Sequence, residues 1–182
     1  VSFDLAFKQV VGLEGKFSDD ETDPGNWTTG VVNTGELKGT MYGISAKSYP
    51  TLDIKNLTLP KVKDIYLRDF WNKIGGDLLP DIVSVALFKE AVNLGTHGAV
   101  TMLQKSLKIE PSDGVIGQIT VGVATSHPPM LVLQQFLTEC AYAYTKMALF
   151  QRDGKGWLSR VIKTALEGQL SDQELTPDAV KG

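Results

Sequence analysis

Apolar positions recur along most of this chain at helical spacing. Phe3, Phe7, Val10 and Glu14 follow one another at intervals of four, three and four, one face of a helix over residues 2–14. Ser2 is placed to cap its start, Asp4 suits its first turn, and Gly15 can end it in a left-handed cap. Residues 18–40 break the pattern. Ser18-Asp19-Asp20-Glu21-Thr22-Asp23-Pro24-Gly25 is acidic and rich in turn formers. Two short runs, Trp27–Val32 and Glu36–Thr40, then flank Asn33-Thr34-Gly35 and predict a small β-hairpin.

Beyond the hairpin the pattern is helical throughout. Ile44–Tyr49 reads as a short helix stopped before Pro50. Thr58 can cap the next, with Pro60 in its first turn and Leu67, Phe70, Trp71 and Ile74 as its apolar stripe. Residues 81–93 are apolar nearly all round, the mark of a buried central helix. A helix over 97–107, a turn at Ser112-Asp113-Gly114 and a further short helix follow. Met130, Leu133, Leu137, Cys140, Tyr144 and Met147 predict one long amphipathic helix over 128–150, and Trp157, Val161 and Ala165 a last one. From about residue 171 the chain is a polar tail. The expected fold class is mainly α, with a small β-hairpin lobe.

Composition narrows the function. The chain has 182 residues, 42% of them hydrophobic, enough for one packed domain or two small lobes. Its net charge of −3 does not point to nucleic acid, which normally selects a basic surplus. The single cysteine, Cys140, rules out a disulfide within the chain and reads as a buried small hydrophobe. His97 and His127 lie in no metal-type spacing, so no metal and no cofactor are expected. No apolar run is long enough to span a membrane, and Val1–Leu5 lack the features of a signal peptide.

Glu14 is the residue the pattern singles out. It ends an apolar stripe at the C-terminal end of its helix, where burial and the macrodipole both disfavour a negative charge, although position alone better suits a helix-terminal glutamate that is simply solvated. A carboxyl that keeps its proton near neutral pH suits a general acid. Glycoside hydrolysis generally pairs such an acid with a second, ionised carboxylate. Asp19, Asp20, Glu21 and Asp23 all follow within a turn-rich segment. Asp23 has the most fixed setting, ahead of Pro24-Gly25, although Asp-Pro-Gly also makes an ordinary turn. Trp27 offers an indole face to a pyranose ring, or equally an anchor for the hairpin. A calcium loop counted from Asp19 would need glycine and glutamate where Pro24 and Gly30 stand.

The ordered set Leu13-Glu14-Gly15, Asp23-Pro24-Gly25-Asn26-Trp27-Thr28 and Gly39-Thr40-Met41-Tyr42-Gly43-Ile44-Ser45 resembles glycoside hydrolase family 108. These are N-acetylmuramidases found as phage endolysins and related bacterial wall hydrolases. The resemblance continues through Ile65-Tyr66, Phe70-Trp71, Ala91-Val92-Asn93 with Gly95, Leu103-Gln104 and Asp113–Gly117, and ends at Gly156-Trp157-Leu158-Ser159-Arg160-Val161. It implies that Glu14 is catalytic. The chain departs from the family pattern at Lys16, where a second glycine is common, and at Lys89-Glu90, where an Asp is. A second resemblance, to phage lysozymes of another family, lies in the spacing of Glu14, Asp23 and Thr29.

The family implies a lysozyme-like helical fold. A muramidase region would span 1–93, and a peptidoglycan-binding helical region 94–170 would pack on it as one globular unit, followed by the tail 171–182. Glu14 would protonate the oxygen of the β-1,4 bond between N-acetylmuramic acid and N-acetylglucosamine. Asp23, or Thr28 or Thr29 through a water, would stabilise the cation-like state or place the attacking water. Trp27, Tyr42 and Asn93 are the expected substrate contacts, though Asn93 also suits a helix C-cap. The alternatives are a lytic transglycosylase on the same substrate and a non-catalytic wall-binding protein. The expected partner is bacterial peptidoglycan, with no nucleic acid, no membrane span and a monomeric state. The expected route is synthesis in a bacterial cytoplasm and action at the periplasm or wall after holin-type release.

Overall fold

A computed structural model describes residues 3–11 and 16–175, with side chains described through residue 170. Glu14, Gly15, the Ser2 cap and the end of the tail lie outside the described residues. The described residues hold seven α-helices and one two-stranded sheet, a mainly α, lysozyme-like fold. The chain divides into two compact units, Asp4–Arg68 and Phe3 with the residues from Asp69 onward.

The first unit contains most of α1 (Phe3–Val10), strands β1 (Thr40–Met41) and β2 (Ile44–Ser45), and α2 (Leu59–Tyr66). Ala6 and Phe7 are buried, and Phe7 meets Tyr66 edge to face at 5.7 Å. Thr58 stands at the N-cap of α2 without a side-chain cap bond, and Pro occupies its first turn. Asp4 pairs with Lys63 at 2.7 Å.

The β-hairpin is present, but later in the chain than its expected position. Thr40 faces Ser45 and Met41 faces Ile44, joined by Tyr42 (φ 52°) and Gly43 (φ 77°). Two successive positive-φ residues make the tight turn whose twist suits a hairpin. Tyr66 donates to the Tyr42 carbonyl at 2.9 Å, and a Cβ on Gly43 would lie 2.6 Å from that hydroxyl. Glycine is therefore required there for close approach as well as for its φ. The helix expected over Ile44–Tyr49 is replaced by β2 and a turn, because this reversal pairs Ile44 and Ser45 with β1. The two runs flanking Asn33-Thr34-Gly35 form a single bridge, Trp27 to Leu37, supported by Thr28 N–H on the Glu36 carbonyl at 3.0 Å. Positive φ at Gly30, Asn33 and Gly35 bends the intervening chain too often for a ladder to propagate.

In the second unit, α3 (Asp81–Leu94) is the buried helix its composition predicts. Ile82, Val83, Ala86, Leu87, Phe88 and Ala91 are all in the core. It packs against α4 (Thr96–Ser106), α6 (Pro129–Thr145) and α7 (Phe150–Leu175). Trp71 is fully buried, T-shaped on Phe88 at 5.6 Å and tilted on Phe3 at 5.7 Å, with its indole N–H on Asp77 at 3.0 Å. Each such ring pair adds about 0.5–1.5 kcal/mol beyond the area it buries. Gln104, also buried, donates to Asp113 at 2.8 Å and accepts from Gly114 N–H at 2.8 Å, which pins the loop ahead of α5 (Gln118–Ser126). Cys140 is buried, and burial raises its thiol pKa, in keeping with an apolar role.

The single helix expected over 128–150 ends at Thr145. Lys146 N–H turns back onto Ala143 and Tyr144 carbonyls, and Phe150 N–H onto Met147, so the chain turns and starts α7. Tyr144 and Trp157 then stack across the corner, centroids 5.3 Å apart. The apolar period continues through the turn, which is why the sequence reads as unbroken.

Candidate active site

Within the unit Asp4–Arg68, the loop from Asp19 to Thr29 is held by its own polar groups. Asp20 accepts from both the hydroxyl (2.7 Å) and the N–H (2.9 Å) of Thr22. Those bonds, the hydroxyl's first, hold its carboxyl below the usual range. Asp23 caps the short 3-10 turn Pro24–Asn26, its Oδ1 accepting from Gly25 N–H at 2.8 Å, and its side chain is exposed.

Asn26 is fully buried. It donates to the Asp20 carbonyl at 3.0 Å and accepts from the Thr40 hydroxyl at 2.7 Å. Its own carbonyl accepts from Lys38 and Gly39 N–H, each at 3.0 Å. One side chain thus joins the acidic loop to β1. The sequence contained a signal for this, an asparagine inside the Asp-Pro-Gly-Asn-Trp-Thr segment, but not the burial that decides its role.

Trp27 is half-buried and donates its indole N–H to the Glu21 carbonyl at 2.9 Å. The two threonines differ. Thr28 Oγ1 accepts from Glu36 N–H at 3.0 Å, which leaves its hydroxyl proton uncommitted to that bond. Thr29 donates its hydroxyl to the Thr34 carbonyl at 2.6 Å. Tyr42 is half-buried at the hairpin tip. Asp23, Trp27, Thr28, Thr29 and Tyr42 therefore all belong to one unit, while Asn93 belongs to the other.

A pocket of about 450 Å³ opens in the same unit between Phe17, Asp19, Leu37, Lys38, Asp53 and Lys55. Lys55 lies 5.9 Å from the Phe17 ring centre, and Lys38 reaches the Pro50 carbonyl at 2.8 Å and Glu36 at 3.1 Å. None of the residues expected to bind substrate lines it. Its residues come from three loop segments that carry no motif of their own.

Residues 7–95 match the model of the family described as glycosyl hydrolase 108. The chain is thus similar to glycoside hydrolase family 108 over just under half of its length. Among solved structures it is similar to SagA of Brucella abortus, with 29% identity, a TM-score of 0.76, and coverage of 92% of this chain and 94% of that one. No functionally curated protein sequence matches. That similarity supports a peptidoglycan-degrading glycosidase in general. The matched span contains Glu14, the Asp23–Thr29 loop, Tyr42 and Asn93, and stops short of Trp157 and Arg160. No described helix is long and apolar enough to cross a membrane, and among the described residues no three His, Cys, Asp or Glu side chains gather as a metal site.

Lys89 and Glu90, next to the Ala91-Val92-Asn93 segment, have separate structural roles. Lys89 pairs with Glu167 of α7. Glu90 is fully buried, receives the Tyr144 hydroxyl on Oε2, and has no partner for Oε1 among the described residues. Burial raises its carboxyl pKa, against smaller lowering effects from the Tyr144 bond and from the charges of Arg160 and Lys89. Tyr144 is pushed up in turn, first by burial and then by Glu90. Glu90 sits one turn beyond Ala86 and Leu87 on an otherwise apolar helix face, the signal that marks it as buried.

A raised carboxyl pKa sets the sign of a stability effect. Above the ordinary glutamate value of 4.5 and below the raised one, the folded chain holds a proton that the unfolded chain has released. Stability contributed by Glu90 is therefore lost as pH rises through that window. Glu90→Gln keeps an acceptor for Tyr144 and removes the titration. Its urea midpoint should fall less than that of the wild type as pH rises above about 5. Parallel curves for the two proteins would show that folding does not raise the Glu90 pKa.

Proposed function

We propose that this chain is an N-acetylmuramidase that hydrolyses the β-1,4 bond between N-acetylmuramic acid and N-acetylglucosamine, with Glu14 as general acid. The observation that carries the reading is the family match over residues 7–95, which spans the Glu14 segment and the Asp23–Thr29 loop together. Two features of that loop support it. Asp23 is exposed and its carboxylate is oriented by Gly25 N–H, as a group that stabilises developing positive charge requires. Thr28, unlike Thr29, keeps a hydroxyl proton free of the bond its oxygen accepts, which favours it as the donor to a water or a sugar oxygen. Trp27 and Tyr42 serve as sugar contacts in this reading. The protein acts as a monomer at the periplasm or wall, in the manner of an endolysin released by a holin.

The test is the chemistry of the product. Purified peptidoglycan stripped of outer membrane should lose turbidity with the protein, and mass spectrometry of the fragments should show reducing N-acetylmuramic acid ends. Anhydro ends would replace hydrolysis by a transglycosylase reaction. No fragments, with wall binding intact, would retire the enzyme reading.

A further inference from the structure

The motif Gly156-Trp157-Leu158-Ser159-Arg160-Val161 takes no part in the chemistry above, yet it leads to a second pocket. The corner between α6 and α7 encloses about 320 Å³, within the range of small-ligand sites. Trp157 and Arg160 stand three residues apart and so share one face of α7. Asn93 and Leu94, from the end of α3, and Tyr144 and Met147, from the corner, complete the lining with them. Two sequence motifs remote from each other, Ala91-Val92-Asn93 and Gly156–Val161, thus meet in one cavity.

Two of its polar groups, the Arg160 guanidinium and Asn93 Oδ1, are unspent among the described residues. Arg160 is half-buried, and among the described residues it makes no hydrogen bond and no ion pair, although it lies near enough to Glu90 for their charges to interact. A partly buried guanidinium normally finds an anionic or carbonyl partner, because desolvating it alone is costly. Asn93 donates its amide to the Lys89 carbonyl at 2.6 Å, which leaves its Oδ1 as an unused acceptor among the described residues. The walls are otherwise apolar, with the Tyr144–Trp157 stack as a rigid side.

We infer that this pocket binds a carboxylate of the wall's peptide stem, with Arg160 clasping the carboxylate and Asn93 Oδ1 accepting a peptide N–H. The inference rests on peptidoglycan being the substrate. Guanidinium and carboxylate match in a two-pronged geometry that a lysine does not reproduce. A single cation between apolar walls suits one carboxylate on an aliphatic stem better than a phosphate, which usually gathers several cations or backbone N–H groups. Burial disfavours the charged form of Glu90, the carboxyl whose charge interacts with Arg160.

The test is calorimetric titration of the full chain with the tripeptide stem released from the wall by an amidase. The same peptide with its carboxylates amidated, and N-acetylmuramic acid with its lactyl carboxylate, form the other two arms. The free stem should bind, and amidation or Arg160→Gln should weaken it by about 10- to 100-fold, with Arg160→Lys falling between. Amidation leaves the protein untouched, so its effect cannot come from misfolding. No binding of the free stem, equal binding of the amidated stem, or binding unchanged in Arg160→Gln overturns the inference. So does N-acetylmuramic acid taking the site in place of the peptide. Release of reducing ends from glycan strands is followed on the same preparations. Cleavage without stem binding leaves the muramidase and removes this site; stem binding without cleavage does the reverse.

Discussion

Glu14→Gln is expected to lower the rate of reducing-end release from peptidoglycan by about 10²–10⁴-fold, the usual contribution of a positioned general acid. Glutamine has nearly the shape of glutamic acid but no acidic proton to give the departing sugar oxygen. The helical stripe of Phe3, Phe7 and Val10 that leads to Glu14 is unchanged by the substitution, so folding and wall binding should persist. A solvated glutamate titrates near about pH 4.3 and would be a poor acid at neutral pH. A working acid therefore carries its signature in the pH profile, as a rate that falls with rising pH on its basic limb. The variant should lose that limb along with the rate. Glu14→Asp, which keeps the carboxyl on a shorter stem, should retain a trace of activity with the limb still visible. A Glu14→Gln protein that lyses walls at the wild-type rate would sink the assignment of the acid, whatever the family match.

What the sequence made legible follows from how local each feature is. The helix α3 announces itself because nearly every residue from Ile82 to Phe88 is apolar, and no other element fits such a run. The turn at Asp23–Asn26 was legible for the same reason, since its capping chemistry lies within adjacent residues. The hairpin was misplaced because Tyr42 adopts a positive φ, a conformation that pattern assigns to glycine or asparagine. What stabilises it there is the Tyr66 hydroxyl on the Tyr42 carbonyl, a contact between residues 24 apart. The end of α6 was hidden because Met147 continues the apolar period into a turn. The Arg160 pocket was out of reach altogether: its residues come from α3, the corner and α7, and only folding brings Asn93 to Arg160.

The second large effect is expected at Asn26, where a structural residue governs the loop that carries Asp23. Asn26→Leu roughly preserves volume, so the cost is polar. It strips the Thr40 hydroxyl of its partner at 2.7 Å and removes one of two donors to the Asp20 carbonyl, which keeps Asp23 N–H at 3.1 Å. A buried polar group stripped of its partner costs about 1–3 kcal/mol. Even the half-buried Thr40 hydroxyl alone is a sizeable loss against the roughly 5–15 kcal/mol that holds a typical domain folded. The urea midpoint should fall steeply. The Lys38 and Gly39 amides, which donate to the Asn26 carbonyl, should exchange faster than the remaining loop amides. Activity should drop further than stability alone explains, because Asp23 and Trp27 flank the residue that anchors their loop. Thr40→Val isolates one half of the arrangement, since it strands Asn26 Oδ1 alone. In Asn26→Leu/Thr40→Val both polar groups of that pair are gone, so the double variant should lose less than the sum of the two single losses. Strictly additive losses, or an unchanged midpoint in Asn26→Leu, would mean that the acidic loop is held by something other than this buried amide.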